Sequence, residues 1–321
     1  MTPAPLLEVS DLHVAAASGD ILRGVDLVVG RGEVVGIVGE SGSGKTTLGL
    51  AILGLLGRTR SISQGRVAMH GALIGAPGVD GAAGLRGGSI SFIPQDPFRS
   101  FDPLRRMGPQ IRRPLELHRD LSTSQADERA IELLARLGVP EPASVMQRYP
   151  HQLSGGMLQR SAIATALSCG PELVIADEPT TALDVLVQIQ VIESFLALVR
   201  ELGTSLLIIT HDLRLLRRTA DRIAAMYAGK IVEFGDAERL LDAPRHPYPA
   251  ALREASVLSG DPAGRVATID GQPPTLPGTF WPCSFVPRCR YATAICREQE
   301  PHYAWPAASG FACHHPLGPA T

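Results

Sequence analysis

Aromatic residues are scarce in this chain of 321 residues, and neither acidic nor basic residues are in large excess. Phe, Trp and Tyr make up 5% of it while hydrophobic residues make up 45%, so a core must be built mainly from Ala, Val, Leu and Ile. The formal net charge is −2, and no block of like charges occurs. These features argue against the broad basic face of a nucleic-acid binder, and we expect no nucleic-acid partner.

Long apolar runs are also missing. No stretch approaches the roughly 18 consecutive apolar residues of a membrane-spanning helix, so we expect none in this chain. The first residues, MTPAPLLEVSDL, lack a positive region followed by an apolar one, so we expect no signal peptide and a cytoplasmic chain. If the protein moves a solute across a membrane, another polypeptide must form the pathway.

Short β-branched runs alternate with stretches of helical periodicity. The predicted strands are 34–38 (VVGIV), 89–94, 173–177 (LVIAD) and 205–210 (SLLIIT). The predicted helical stretches are 46–56, most of 104–168, and 185–202. The alternation predicts an α/β core with a mostly parallel sheet. We further expect a glycine-rich loop at 71–88, a hairpin at 222–235 turning at Ala228-Gly229, and little regular periodicity beyond about 240.

Eight consecutive residues match the phosphate-loop pattern G-x-x-x-x-G-K-S/T. They are Gly39, Glu40, Ser41, Gly42, Ser43, Gly44, Lys45 and Thr46. They lie between a predicted strand and a predicted helix, which disfavours the alternative of a chance glycine-rich turn. Backbone N–H groups and the helix N-terminus would bind phosphate oxygens. Lys45 would contact the β- and γ-phosphates, Thr46 would ligate Mg²⁺, and Thr47 completes the predicted ATP-binding set.

The predicted strand at 173–177 ends in Asp177, and a second carboxylate, Glu178, follows directly. Acids at the carboxyl end of a strand face the crevice where nucleotides bind in open α/β sheets. Asp177 therefore suits the Mg²⁺ shell, and Glu178 is the candidate base for the attacking water. A strand that ends in two solvated acids is the alternative, and the phosphate loop makes it less favoured.

The stretch Leu153-Ser154-Gly155-Gly156-Met157 precedes a helical pattern. Ser154 is a good N-cap, and two glycines after it leave backbone donors open to an anion. This stretch resembles the signature sequence of ABC (ATP-binding-cassette) ATPases. The resemblance implies that Ser154, Gly155 and Gly156 bind ATP.

Further residues match the family in the same order along the chain. Gln95 resembles the glutamine that senses Mg²⁺ and couples to the membrane partner. Residues 182–184 resemble the segment between two cassettes, which adds Asp184 to the ATP-binding set. His211 resembles the histidine that contacts the γ-phosphate, although a lone histidine after a strand is more often structural. Glu178, His211, Gln95 and Lys45 are thus the candidate catalytic residues.

The resemblance implies a P-loop NTPase cassette in residues 1–240, with a RecA-like core and a helical subdomain at about 97–165. Each ATP would lie between the phosphate loop of one cassette and the signature of another, so a partner cassette is implied, either a paralogue or a second copy. One departure is the absence of the usual adenine-stacking aromatic. The matching stretch, 12–17, offers only His13.

Residues 241–321 form an extension whose motifs resemble the oligopeptide/dipeptide importer branch of the family. The motifs are IPQDPFRSFDP at 93–103, His246-Pro247-Tyr248, and GQPPTLPGTFWPCSFVPRC at 271–289. Four of the five cysteines lie here: Cys283, Cys289, Cys296 and Cys313. Clustered thiols in a reducing compartment suggest a metal. The resemblance favours a [4Fe–4S] cluster, while zinc and plain thiols or disulfides stay open; Cys169 should be core packing.

An ATPase subunit for peptide import is therefore the leading hypothesis. Its implied partners are two membrane permease subunits and an extracytoplasmic solute-binding protein, with this chain at the cytoplasmic face of the membrane. Nickel or a metallophore is the alternative cargo. A DNA- or ribosome-directed ABC ATPase is disfavoured, because 108 residues without sustained heptads separate Thr46 from Ser154 and the chain has one phosphate loop. An exporter would usually carry fused membrane helices.

Overall fold

The computed structural model describes residues 4–179, 185–256, 268–278, 280–302 and 309–318. The chain divides into two compact units. The first unit consists of Met1–Gly30, Val34–Ala82 and Ile209–Thr321, and the second consists of Arg31–Glu33 and Ala83–Ile208. Within these ranges, none of the helices combines the length and the hydrophobicity that a membrane span requires.

The described residues contain twelve strands and ten α-helices. The strands are β1 Leu7–Ala16, β2 Gly19–Val29, β3 Val34–Val38, β4 Arg60–Met69, β5 Ala72–Ala76, β6 Val79–Asp80, β7 Ile90–Ile93, β8 Leu173–Asp177, β9 Ser205–Ile209, β10 Arg222–Tyr227, β11 Lys230–Asp236 and β12 Gly310–Phe311. The helices are α1 Lys45–Ile52, α2 Met107–His118, α3 Thr123–Arg136, α4 Pro142–Val145, α5 Gly155–Leu167, α6 Val185–Glu201, α7 Leu213–Thr219, α8 Ala237–Asp242, α9 Pro247–Ala255 and α10 Ile295–Glu298.

The first unit has an antiparallel sheet in the order β2-β1-β4-β5-β6. Its register pairs Val9 with Leu27 on one side and with Val67 on the other, and all three side chains are buried. The same unit carries the strand order β12-β11-β10-β3, in which β3 and β10 are parallel. All five residues of β3 are buried, as expected for a continuous apolar strand that is covered on both faces.

The second unit carries the strand order β9-β8-β7, with β7 and β8 parallel and Phe92 opposite Ile175. Between β7 and β8 the chain forms α2 to α5, and α2, α3 and α5 pack against one another. A capping box of Ser122 and Gln125 begins α3. Gly138, at a φ of 72°, follows the last turn of that helix.

Several sequence predictions are confirmed by these elements. The four predicted strands appear as β3, β7, β8 and β9, and the predicted hairpin appears as β10–β11. Ala228 and Gly229 both have positive φ, at 49° and 78°, as a two-residue turn of type I′ requires. The helical stretch 185–202 appears as α6.

Three predictions need correction. The segment 71–88 is not a structureless loop, because β5 and β6 form there and β5 pairs with β4. Its glycine content indicated a loop, but the segment contains a strand that buries the side chain of Ile74. The helix predicted at 46–56 ends at Ile52, where Gly54 turns the chain with a φ of 66°. Regular structure also continues past 240, since α9 begins at Pro247 after its N-cap His246.

Candidate functional site

The phosphate loop begins at a position that only glycine can occupy. A Cβ atom on Gly39 would lie 2.2 Å from the carbonyl oxygen of Met226 on β10, so that close approach excludes every side chain. At the other end of the loop, Gly44 has a φ of 103° and directly precedes α1. Neighbouring β-strands and a left-handed glycine therefore fix both ends of the loop.

Within the loop, the ammonium of Lys45 donates to the carbonyl oxygens of Gly39, at 2.8 Å, and Glu40, at 2.9 Å. Lys45 is 7% exposed, whereas Thr46 at the start of α1 is exposed. A Cβ built on Gly42 meets nothing within 4 Å, so the space above the loop is open. In the described part of the chain, the buried Oγ of Ser43 has no hydrogen-bond partner. An open loop with a buried lysine and an unpartnered hydroxyl suits phosphate.

In the second unit, β8 ends at Asp177, which is 4% exposed, and Glu178 follows it. Glu178 has a φ of 46°, a left-handed conformation that is uncommon for a residue with a side chain and occurs often at functional sites. Its Oε2 accepts a hydrogen bond of 2.9 Å from Nε2 of Gln95. Gln95 comes shortly after β7, and β7 and β8 are parallel, so the carboxyl ends of both strands lie together.

Ser154 begins α5 as the sequence predicted. Its Oγ accepts a hydrogen bond of 3.3 Å from the backbone N–H of Met157. The buried apolar side chains of this helix include Leu158, Ala162, Ile163, Ala166 and Leu167. Ser154 itself is exposed, and Gly155 and Gly156 are partly exposed at the first turn. The helix start thus presents backbone donors to solvent.

His211 is exposed in the first unit. The backbone N–H of the preceding residue, Thr210, donates to the carbonyl oxygen of Ile37 on β3 at 3.1 Å. This bond places His211 at the carboxyl end of the strand that leads into the phosphate loop. Asp212 then caps α7. Residues 182–184, including Asp184, lie outside the described residues.

His13 is engaged by a neighbour on its own strand. Its Nε2 lies 3.1 Å from Oδ1 of Asp11, and its side chain is 25% exposed. An aromatic ring does, however, lie beside the adjacent strand. The ring centroid of Phe280 is 4.1 Å from the guanidinium of Arg23 on β2. Sequence reasoning had no signal for this contact, since 257 residues separate the two positions.

Four cysteines line one cavity in the first unit. Cys283, Cys289, Cys296 and Cys313 line it together with Phe285 and other residues, and it is partly open to solvent. Burial raises the pKa of the Cys313 thiol to about 11 and raises the pKa values of Cys283 and Cys289 as well. All five cysteines of the chain are free thiols.

The geometry around these thiols is not that of a mononuclear site. Among the described residues, no group of three or more His, Cys, Asp or Glu side chains could hold a metal ion. Cys169 lies in the other unit, packed with Leu115 and Ala126, and its predicted place in a core is confirmed.

The sequence alone did not identify two further candidate residues, Tyr248 and Arg288. The Tyr248 hydroxyl and the Arg288 guanidinium both bind Glu40 of the phosphate loop. Tyr248 belongs to a motif that the sequence singled out only for its resemblance, and Arg288 directly precedes Cys289. No local pattern in the sequence indicates that either residue contacts the loop.

Comparisons with known proteins agree with this geometry. The family model described as "ABC transporter" matches residues 22–181, and the one described as "Oligopeptide/dipeptide transporter, C-terminal region" matches residues 232–296. The dipeptide transport ATP-binding protein DppD of Escherichia coli (strain K12) is 43% identical over 305 residues, covering 93% of this chain and 92% of DppD. The oligopeptide transport ATP-binding protein OppD of Salmonella typhimurium is 40% identical over 316 residues, covering 97% and 94% of the two chains.

A solved structure shares the fold. The ATP-binding cassette MJ0796, in a dimeric post-hydrolysis state bound to ADP and Pi, superposes with a TM-score of 0.64 at 29% identity. The match covers 72% of this chain and 98% of MJ0796. The predicted ABC cassette fold is confirmed by this likeness. The chain belongs to the ABC transporter family, as an ATP-binding subunit of its oligopeptide/dipeptide branch.

Proposed function

We propose that this chain hydrolyses ATP to drive peptide import through separate membrane permease subunits. The observation that carries the chemistry is the Glu178 carboxylate, held by Gln95 at the joint carboxyl end of two parallel strands. The cargo is inferred from the relatives, which are named for dipeptide and oligopeptide transport and match nearly the whole chain.

The first unit supplies phosphate binding. On ATP binding, Lys45 exchanges its two carbonyl acceptors, on Gly39 and Glu40, for β- and γ-phosphate oxygens. Backbone N–H groups from residues 39–47 bind the remaining phosphate oxygens, and the N-terminus of α1 contributes its positive end. His211 lies beside the carboxyl end of β3, and it contacts the γ-phosphate as the resemblance implies.

The second unit supplies the acid–base chemistry. Glu178 accepts a proton from the attacking water, and the Gln95 amide holds its carboxylate in position. Asp177 and Gln95 of this unit offer a carboxylate and an amide oxygen, which are hard donors suited to Mg²⁺, and the exposed Thr46 hydroxyl of the first unit is a donor of the same kind. Bound Mg²⁺ would neutralise charge on the phosphates.

A second cassette completes each nucleotide site in this proposal. Ser154, Gly155 and Gly156 of one cassette bind the γ-phosphate held by the other, and Asp184 of the neighbouring segment joins them. The exposed hydroxyl and open N-terminal turn of α5 support this role. In this proposal the complete transporter also contains two permease subunits and an extracytoplasmic solute-binding protein. This chain lies at the cytoplasmic face of the membrane as a peripheral subunit.

We further propose that Cys283, Cys289, Cys296 and Cys313 ligate a [4Fe–4S] cluster. Four free thiols around one cavity support it. The four thiolates would hold the cluster as its ligands, since Cys thiolates are the usual ligands of iron–sulfur clusters.

Uptake by cells tests the transport function. A strain lacking this gene should lose uptake of radiolabelled di- and oligopeptides, and a plasmid copy of the wild-type gene should restore it. A Glu178→Gln copy should not restore it. Unchanged peptide uptake in the deletion strain, or loss of nickel uptake alone, would remove peptides as the cargo.

A further inference from the structure

The C-terminal extension holds one residue of the phosphate loop at two points. The backbone N–H of Glu40 donates to the Tyr248 hydroxyl at 2.8 Å. The guanidinium of Arg288 donates to both carboxylate oxygens of Glu40, at 2.6 and 3.0 Å. The remaining polar atom of the residue, its carbonyl oxygen, accepts from Lys45. The same carbonyl oxygen also accepts from the backbone N–H of Ser43 at 3.2 Å. Every polar group of Glu40 is therefore bound, and two of its four partner residues lie outside the loop.

Tyr248 is placed rigidly. It lies at the start of α9 and is fully buried, with its ring 4.6 Å from Tyr227 and 5.5 Å from Phe285 between centroids. The start of α9 is fixed in turn, because the buried carboxylate of Glu233 accepts from the backbone N–H of His246 at 2.7 Å. A hydroxyl on such a packed ring has little freedom, so it fixes the position of the Glu40 backbone.

Arg288 is equally constrained. Its side chain is 3% exposed, and it also donates to the carbonyl oxygen of Asp270 at 2.9 Å. The two hydrogen bonds to Glu40 form a fork, the strongest geometry available to an arginine–carboxylate pair. A guanidinium stays protonated in proteins, so Arg288 carries a positive charge beside this carboxylate. The pair is mostly buried, so solvent screens it less than an ion pair on the surface.

The pair has an electrostatic consequence for nucleotide binding. Glu40 puts a negative charge inside a loop built to bind the negative phosphates of ATP. Arg288 neutralises that charge, and Tyr248 holds the backbone of the same residue. We propose that Arg288 and Tyr248 are positioning residues for ATP binding, through which the C-terminal extension sets the shape and charge of the phosphate loop. This inference rests on the proposed ATP-binding function.

Nucleotide affinity of the full-length chain tests the proposal. The probe is a fluorescent ATP analogue with Mg²⁺, and the variants are Tyr248→Phe, which removes a single oxygen, and Arg288→Met. Loss of one hydrogen bond should raise the Kd of Tyr248→Phe about 3- to 10-fold. Arg288→Met, which leaves Glu40 charged and partly buried, should raise Kd at least about 10-fold.

A matched control and a suppressor sharpen the test. Arg290→Met breaks an exposed pair with Glu254 in the same extension and should leave Kd within about two-fold of wild type. Adding Glu40→Gln to Arg288→Met removes the uncompensated charge and should recover most of the lost affinity. General damage to the fold would not be reversed in this way.

The outcomes separate the two proposals. A wild-type chain that fails to bind the analogue contradicts the proposed function itself. A wild type that binds, with Tyr248→Phe and Arg288→Met both within two-fold of it, overturns the positioning role alone. If Arg288→Met does not fold, Tyr248→Phe decides the matter, since its melting temperature should stay near that of the wild type while its Kd rises.

Discussion

Nε2 of Gln95 lies 2.9 Å from Oε2 of Glu178, and the two residues follow neighbouring parallel strands. The Gln95 amide nitrogen donates to the carboxylate, which accepts, so this bond fixes the position of Oε2. Glu178 is also held in a left-handed backbone conformation. The carboxylate is therefore oriented by a side chain and by its own main chain before any nucleotide arrives.

Removing that amide should slow turnover without weakening nucleotide binding. We expect Gln95→Met to lower kcat for ATP hydrolysis about 10-fold, because a mispositioned base transfers protons less efficiently. The Kd for an ATP analogue without Mg²⁺ should be unchanged. Gln147→Met is the control, since Gln147 is an exposed glutamine that accepts from Arg106. A kcat equal to that of the control would contradict the positioning of Glu178 by Gln95.

Two serine caps of the second unit separate structure from function. Ser154→Ala and Ser122→Ala each remove a hydroxyl that begins a helix, and each should lower the free energy of unfolding by about 1 kcal/mol. Only Ser154→Ala should also reduce ATP hydrolysis, because only Ser154 is assigned to a nucleotide. Denaturant unfolding and steady-state hydrolysis measure the two effects. Equal activities of the two variants would remove Ser154 from the ATP site.

The proposed cluster at the four cysteines predicts the metal content of the purified protein. Protein purified without oxygen should be brown and contain iron and acid-labile sulfide, with about four of each per chain for a [4Fe–4S] cluster. Cys289→Ala should lose most of the iron, whereas Cys169→Ala, which alters a core position in the other unit, should keep it. A colourless protein without iron, or one that contains zinc, would defeat the cluster.

The elements predicted best are those specified by local chemistry. Five apolar residues that end at Gly39 predicted β3, and Ala228-Gly229 predicted the hairpin turn, because buried strands and left-handed turns leave short-range patterns. The prediction for 71–88 was wrong because β5 is defined by its pairing with β4, and β6 by its pairing with β5, rather than by their own residue types. Tertiary context outweighed glycine content there.

The same distinction applies to the candidate site. Lys45, Asp177, Glu178 and Ser154 follow strands or precede helices, so their placement follows from local order along the chain. Arg288 is 248 residues from Glu40, and nothing near either residue indicates the pair. Contacts between distant segments depend on how the whole chain packs, which a single sequence does not display.

In the proposed mechanism, ATP hydrolysis by this chain depends most on Glu178, which acts as the base for the attacking water. Glu178→Gln should bind MgATP with an affinity close to that of the wild type and lose at least about 100-fold in hydrolysis rate. Glu172→Gln, at a partly exposed carboxylate just before the same strand, should hydrolyse ATP within about two-fold of the wild-type rate. Phosphate release by Glu178→Gln at the rate of this control would contradict the central claim.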